Sequence, residues 1–184
     1  MTEYSGDAES APSGASALIR KCFVFADASE DAIARLAASS TVLARKAGET
    51  IFYEGDEGDA VFIIESGLVR IWTSEPEHGK ELTLAYLEPG DVFGEVAMLD
   101  GGLRTAAAGV VEDASLLQIT RRSVFDAVRQ SPDFAEHLIG LLCERFRTNI
   151  ADLNAVALQS LERRLAHKIY ALAMAHGRIE NNRV

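Results

Sequence analysis

The hydrophobic pattern changes period twice along this chain. Residues 1 to 16 are rich in Ser, Gly, Ala and acids and offer little to bury, so they are expected to form a disordered leader. From Leu18 to Ala38 the apolar residues Phe25, Ile33 and Leu36 predict short helices, with Ser29 ahead of Glu30-Asp31 as an N-cap and acidic first turn. Between Val42 and Thr120 the pattern shifts to short β-branched and aromatic runs: Val61-Phe62-Ile63-Ile64, Val69-Arg70-Ile71-Trp72 and Leu82 to Leu87. Turn signals at Gly55-Asp56, Ser66-Gly67, His78-Gly79 and Pro89-Gly90 separate them, since Gly enters positive φ at low steric cost. Such a pattern predicts an all-β barrel or roll, closed by a final strand pair at Ala106 to Val111 and Ser115 to Ile119.

From Pro132, with Ser131 as a candidate N-cap, the period becomes helical again. Ala135, Ile139, Leu142, Phe146, Asn149, Leu153 and Val156 advance alternately by four and three, the spacing of a parallel coiled coil. A helix over 132–158 is therefore expected to dimerise through residues 135–156. Leu138, Leu141 and Arg145 form a neighbouring row that can pack on the chain's own β-domain. Beyond the Leu158 to Ser160 hinge, Leu161, Leu165, Ile169 and Leu172 repeat the helical spacing, with Gly177 as a C-cap. In this stretch Arg163, Arg164, Lys168, Arg178 and Arg183 outweigh Glu162 and Glu180.

Charge narrows the range of partners. The formal net charge is −10 over 184 residues, so the surface as a whole is no nucleic-acid footprint, although one Arg in a pocket can still bind one phosphate. No apolar run approaches the roughly 18 residues that cross a bilayer, and no signal peptide is visible, so a cytoplasmic protein is expected. Cys22 and Cys143 lack CxxC or CxxCH spacing and read as reduced structural thiols. His78, His137, His167 and His176 share no ligand spacing, so no metal is expected, and no nucleophile–base arrangement suggests an enzyme.

The stretch Phe93-Gly94-Glu95-Val96-Ala97-Met98-Leu99-Asp100-Gly101-Gly102-Leu103-Arg104-Thr105-Ala106 carries the clearest chemistry. A helical turn starting near Glu95 directs backbone N–H groups at an anion. Arg104 and the Thr105 hydroxyl can add donors to the same phosphate, while the Glu95 carboxylate can accept from a ribose hydroxyl. A surface ion pair between Glu95 and Arg104 is the plainer alternative.

These residues resemble the phosphate-binding cassette of cyclic-nucleotide-binding domains, whose core reads Gly-Glu, a few apolar residues, a variable loop and Arg-Ser/Thr-Ala. Upstream, Gly48, Gly55-Asp56, Gly58-Asp59, Phe62-Ile63-Ile64, Gly67 and Gly90-Asp91 follow the same family's order, and Leu138 to Leu172 resembles the catabolite-activator and fumarate-nitrate-regulator (Crp/Fnr) type. The resemblance implies a mainly β fold with flanking helices: an antiparallel β-roll, jelly-roll-like, over 17–131, a long dimerisation helix over 132–158, and over 159–184 the hinge and first helix of a truncated or absent helix-turn-helix domain. It implies a non-catalytic sensor of a cyclic nucleotide, cAMP first and cGMP second, bound by Gly94, Glu95, Val96, Ala97, Arg104, Thr105 and Ala106, with Leu84 lining the pocket. DNA is implied as a partner only if a helix-turn-helix follows Val184. Leu103 replaces a Pro common in such cassettes, and Asn149-Ile150 replaces the catabolite activator's base-binding Thr-Ser pair. Asn149 can therefore serve the coiled-coil seam or the base, and Arg145 packing or a ligand-linked ion pair. A dimerisation module without DNA binding, or a sensor of another cyclic nucleotide, a dinucleotide or haem, are the alternatives.

Overall fold

The computed structural model describes residues 9–10, 14–25, 28–75, 79–131, 133–136, 138–140, 142–143, 146–148, 150, 166 and 169. Seven strands form one antiparallel sheet in the order β1-β2-β7-β4-β5, with β3 also on β7 and β6 on β4. The strands are β1 (Glu9–Ser10), β2 (Thr41–Arg45), β3 (Thr50–Phe52), β4 (Ala60–Ser74), β5 (Glu81–Leu87), β6 (Val92–Phe93) and β7 (Ala107–Thr120). The helices are α1 (Ala15–Lys21), α2 (Glu30–Ala38), α3 (Glu95–Asp100) and α4 (Arg121–Gln130). The chain divides into two units, Met1–Leu138 and Ile139–Val184.

Alternation builds the core of the first unit. Phe62, Ile64 and Val69 of β4 meet Ala108, Val110, Ala114 and Leu116 of β7, together with Leu43, Ile51, Phe52 and Phe93, in one buried cluster. The rings of Phe52, Phe62 and Phe93 lie 5.2 to 6.0 Å apart. Side chains of opposite parity, Val61, Ile63, Leu117 and Ile119, are also buried, so this half of the sheet is apolar on both faces. α4 packs on β7 and α2 on α4. Phe25 meets Phe134 in the same layer, with ring centroids 5.6 Å apart. Ser29 caps α2 as its spacing predicts, accepting the Ala32 N–H at 3.2 Å. Ser131 Oγ accepts the Phe134 N–H at 3.4 Å, so a new helical turn begins there.

Three details differ from the sequence expectation. Two elements start within the expected leader: β1 pairs with β2 at Glu9 and Ser10, and α1 opens at Ala15. Ser66-Gly67 is no turn between strands. β4 runs through it, and Gly67, at φ 92°, absorbs a bulge where a Cβ would stand 2.5 Å from the Asp113 carbonyl. The two expected strands at 106–111 and 115–119 are likewise one strand, because β7 pairs along its length with β4 and in turn with β3 and β2. Its exposed charges at Glu112 and Asp113 resemble a loop in sequence, but Asp113 accepts from the Ala47 N–H at 2.9 Å and pairs with Lys46 at 2.8 Å.

In the second unit, residues 139–140, 142–143, 146–148 and 150 are helical. Ile139, Leu142, Phe146 and Ile150 are exposed along it, at the i, i+3, i+7 and i+11 spacing that shares one helix face. Arg145, Asn149, Leu153 and Val156 lie outside the described residues, as does most of 159–184. Among the described residues no helix is long and apolar enough to cross a membrane.

Candidate functional site

The candidate site is built around α3. Gly94 precedes it in the left-handed region at φ 77°, and Gly101 follows it at φ 75°, with its N–H donating to the Ala97 carbonyl at 2.9 Å. Glycine at both ends lets the chain enter and leave a six-residue helix abruptly. Glu95 is its first residue and is buried at 5% exposure, Ala97 is buried, and Val96 faces outward.

Arg104 reaches the start of this helix from the far side of the loop. It is 6% exposed, and its Nη1 donates to the Gly94 carbonyl at 2.7 Å. Its guanidinium lies 4.3 Å from the Phe52 ring centroid and 5.6 Å from that of Phe62. A buried cation is expensive unless paired or stacked, and a carbonyl and two ring faces offset part of that expense here. The main chain pins the residue as well: Arg104 N–H donates to the Asp56 carbonyl and Gly55 N–H to the Arg104 carbonyl, both at 2.8 Å. Thr105 is exposed beside it and Ala106 is buried at the entry to β7.

Two glycines make room for the guanidinium. A Cβ on Gly94 would stand 2.6 Å from Arg104 Nη1, and one on Gly58 2.9 Å from Nε and 2.4 Å from the Ala97 Cβ. The structure thus brings Gly94, Glu95, Ala97 and Arg104 together around one short helix, with Thr105 and Ala106 following Arg104 in the chain. Leu84, at 53% exposure, shares the exposed face of β5 with Leu82 and Tyr86, while Leu87 of the same strand packs on the core. Arg145 and Asn149 lie outside the described residues. Phe52, Phe62 and Gly58 carry no site role in the sequence reading. Only a contact with the cation distinguishes them from ordinary strand core and turn residues, and that contact arises from folding. Among the described residues no group of three or more His, Cys, Asp or Glu side chains is placed to hold a metal ion.

Comparison with known proteins bears on the same stretch. Residues 43–131 match the family model of the cyclic nucleotide-binding domain. The chain is 38% identical over 125 residues to the cyclic AMP receptor protein of Thermus thermophilus, covering 68% of this chain and 57% of that protein. It is 28% identical over 160 residues to a CRP-like cAMP-activated global transcriptional regulator of Mycobacterium tuberculosis, covering 87% of this chain and 71% of that protein. The crystal structure of the Thermus thermophilus catabolite activator protein superposes with a TM-score of 0.66 at 33% identity, over 73% of this chain and 63% of that one. The chain therefore spans little more than half the length of its Thermus relative. The matched residues contain the whole of α3 and Arg104, and this chain belongs to the Crp/Fnr family of cyclic nucleotide-binding domains.

Proposed function

We propose that the chain is the cyclic-nucleotide-sensing part of a Crp-type transcriptional regulator, with cAMP as its effector. The observation that carries this reading is the buried Arg104 guanidinium held at the Gly94 carbonyl, where α3 begins. A cyclic phosphate entering there meets a fixed cation and the N–H groups of the Glu95–Ala97 turn, and the Thr105 hydroxyl stands beside them. Glu95 accepts a ribose hydroxyl, so phosphate and sugar are read by different residues. We assign the base contact to Asn149 and a ligand-linked ion pair to Arg145, both on the helix that joins two copies. The relatives are named as receptors and regulators, and the role proposed here is binding without catalysis, in the cytoplasm.

Sensing requires that the nucleotide bind one arrangement of the dimerisation helix better than another, since equal affinity for both shifts nothing. DNA binding would follow from a helix-turn-helix joined to the hinge at Leu158 to Ser160. Calorimetric titration with cAMP, cGMP and 5′-AMP tests the reading. Tight binding of a cyclic nucleotide is expected, weakened in Arg104→Ala by about 1.5 to 3 kcal/mol, the scale of a hydrogen bond to a charged group. Equal affinity in Arg104→Ala, or no binding of either cyclic nucleotide, would refute it.

A further inference from the structure

The other end of α3 is also held by an arginine, and from a different element. A helix leaves its last four carbonyls without intrahelical donors. Here the Gly101 N–H takes the Ala97 carbonyl at 2.9 Å. The next two, Met98 and Leu99, accept from a single side chain: Arg121 Nη1 donates to both, at 2.6 Å in the case of Leu99. A cation at a helix C-terminus also opposes the partial negative charge collected there.

Arg121 is the first residue of α4, and two further contacts fix it. Its backbone N–H donates to the Asp59 carbonyl at 2.6 Å, and its guanidinium lies 4.4 Å from the Phe125 ring one turn along α4. Asp59 adjoins Gly58, where a Cβ would run into Ala97 and Arg104. The start of α4 is thus tied to the site by two routes: through its side chain to the end of α3, and through its main chain to the loop beneath Arg104. Arg104 holds the Gly94 carbonyl at one end of α3 and Arg121 holds the Met98 and Leu99 carbonyls at the other.

We propose that Arg121 is a positioning residue of the nucleotide site: by holding the Met98 and Leu99 carbonyls it locks α3, and the phosphate-binding turn at its start, to the first residue of α4. The inference rests on the cyclic-nucleotide reading. It makes α4 the element that feels occupancy first, because any displacement of α3 pulls on a side chain rooted in that helix. Arg121 touches no nucleotide itself; its effect reaches the phosphate through α3.

The test compares the unsubstituted chain with Arg121→Met, Arg121→Lys and Arg104→Ala, by calorimetric titration with cAMP and by amide hydrogen exchange with and without it. In the unsubstituted chain cAMP is expected to slow exchange in both 95–101 and 121–130. Arg121→Met is expected to bind about tenfold more weakly, within the ordinary range of coupled sites, and to keep ligand protection of 95–101 while losing it in 121–130. Arg121→Lys, which keeps a cation within reach of one carbonyl, is expected to recover part of both. A residue that served stability alone would lower the melting temperature and leave the two segments protected together. Binding and α4 protection as in the unsubstituted chain would overturn the inference and leave the nucleotide reading standing. Failure of the unsubstituted chain to bind cAMP would overturn the reading, and the inference with it. Should Arg121→Met fail to fold, Arg121→Lys decides alone: weaker binding with less α4 protection supports the inference, and unsubstituted values overturn it.

Discussion

Gly58 shows how little space the Arg104 guanidinium has. A Cβ there would stand 2.4 Å from the Ala97 Cβ and 2.9 Å from Arg104 Nε, so one of them must move. Gly58→Ala is expected to destabilise the fold by about 1 to 3 kcal/mol, the usual penalty of overpacking, and to weaken cAMP binding by displacing Arg104. Thermal melts and titration of the variant check both. Cys22 is a second residue whose surroundings set its chemistry. It is buried, its thiol donates to the Gly90 carbonyl at 3.4 Å, and burial, reinforced by the Asp91 carboxylate, pushes its pKa up to about 11. The fold holds this proton more tightly than the unfolded chain does. The stabilisation is therefore fully present below about pH 9, where the unfolded thiol titrates, and is lost as pH rises through 11. Urea melts from pH 8 to 11 are expected to fall more steeply for the unsubstituted chain than for Cys22→Ala. The meeting of Glu95 and Arg104 at one short helix was legible as residue types at a spacing. The contacts of Gly58, Phe52 and Arg121 were not, because each meets its partner across loops or strands rather than along the chain.

At the scale of elements, local signals succeeded where the deciding interaction is itself local. Ser29 caps α2 because its hydroxyl accepts an N–H three residues on, which any reading of Ser followed by Glu-Asp anticipates. Ser29→Ala is expected to destabilise the protein by about 1 kcal/mol, measurable as a shift in the urea midpoint at constant slope. Strand continuity is different. Ser66-Gly67 and Glu112-Asp113 resemble breaks, yet β4 and β7 run through both because each is hydrogen-bonded to the other across the sheet. Gly67 sits at φ 92° against the Asp113 carbonyl. Gly67→Ala is expected to be destabilising beyond ordinary propensity, since it combines left-handed strain with a clash against backbone. The loss would appear as a lower melting temperature without loss of β signal in circular dichroism of the folded state.

For the molecule as a whole, the exposed row Ile139, Leu142, Phe146 and Ile150 is the feature that a lone chain does not explain. Phe146, at 65% exposure, presents a large apolar side chain to water. In the proposed dimer Ile139, Leu142 and Phe146 of this row lie in the seam between two copies, with Ile150 beside it. Phe146→Asp is expected to convert the dimer to a monomer in sedimentation velocity, because it sets two carboxylates at facing seam positions. An unsubstituted chain that sediments as a monomer at micromolar concentration would remove the dimer from the proposal.

The sequence by itself determined the periods and punctuation of this protein. The change from helical to strand spacing and back, the N-cap at Ser29, and a Gly-Glu and an Arg-Thr-Ala set ten residues apart around a glycine-flanked helical turn were all present in the order of residues. Each depends on neighbours within a few positions. Tertiary structure decided what distant residues do to one another. It joined the strand fragments into β4 and β7, seated Arg104 against Phe52, Phe62 and two glycines, placed Leu84 on the exposed face of β5, and brought Arg121 of α4 to the carbonyls at the end of α3. The physical reason is that a buried cation and a row of unsatisfied carbonyls must each find partners, and in a β-roll the nearest partners in space come from strands and loops far away in sequence.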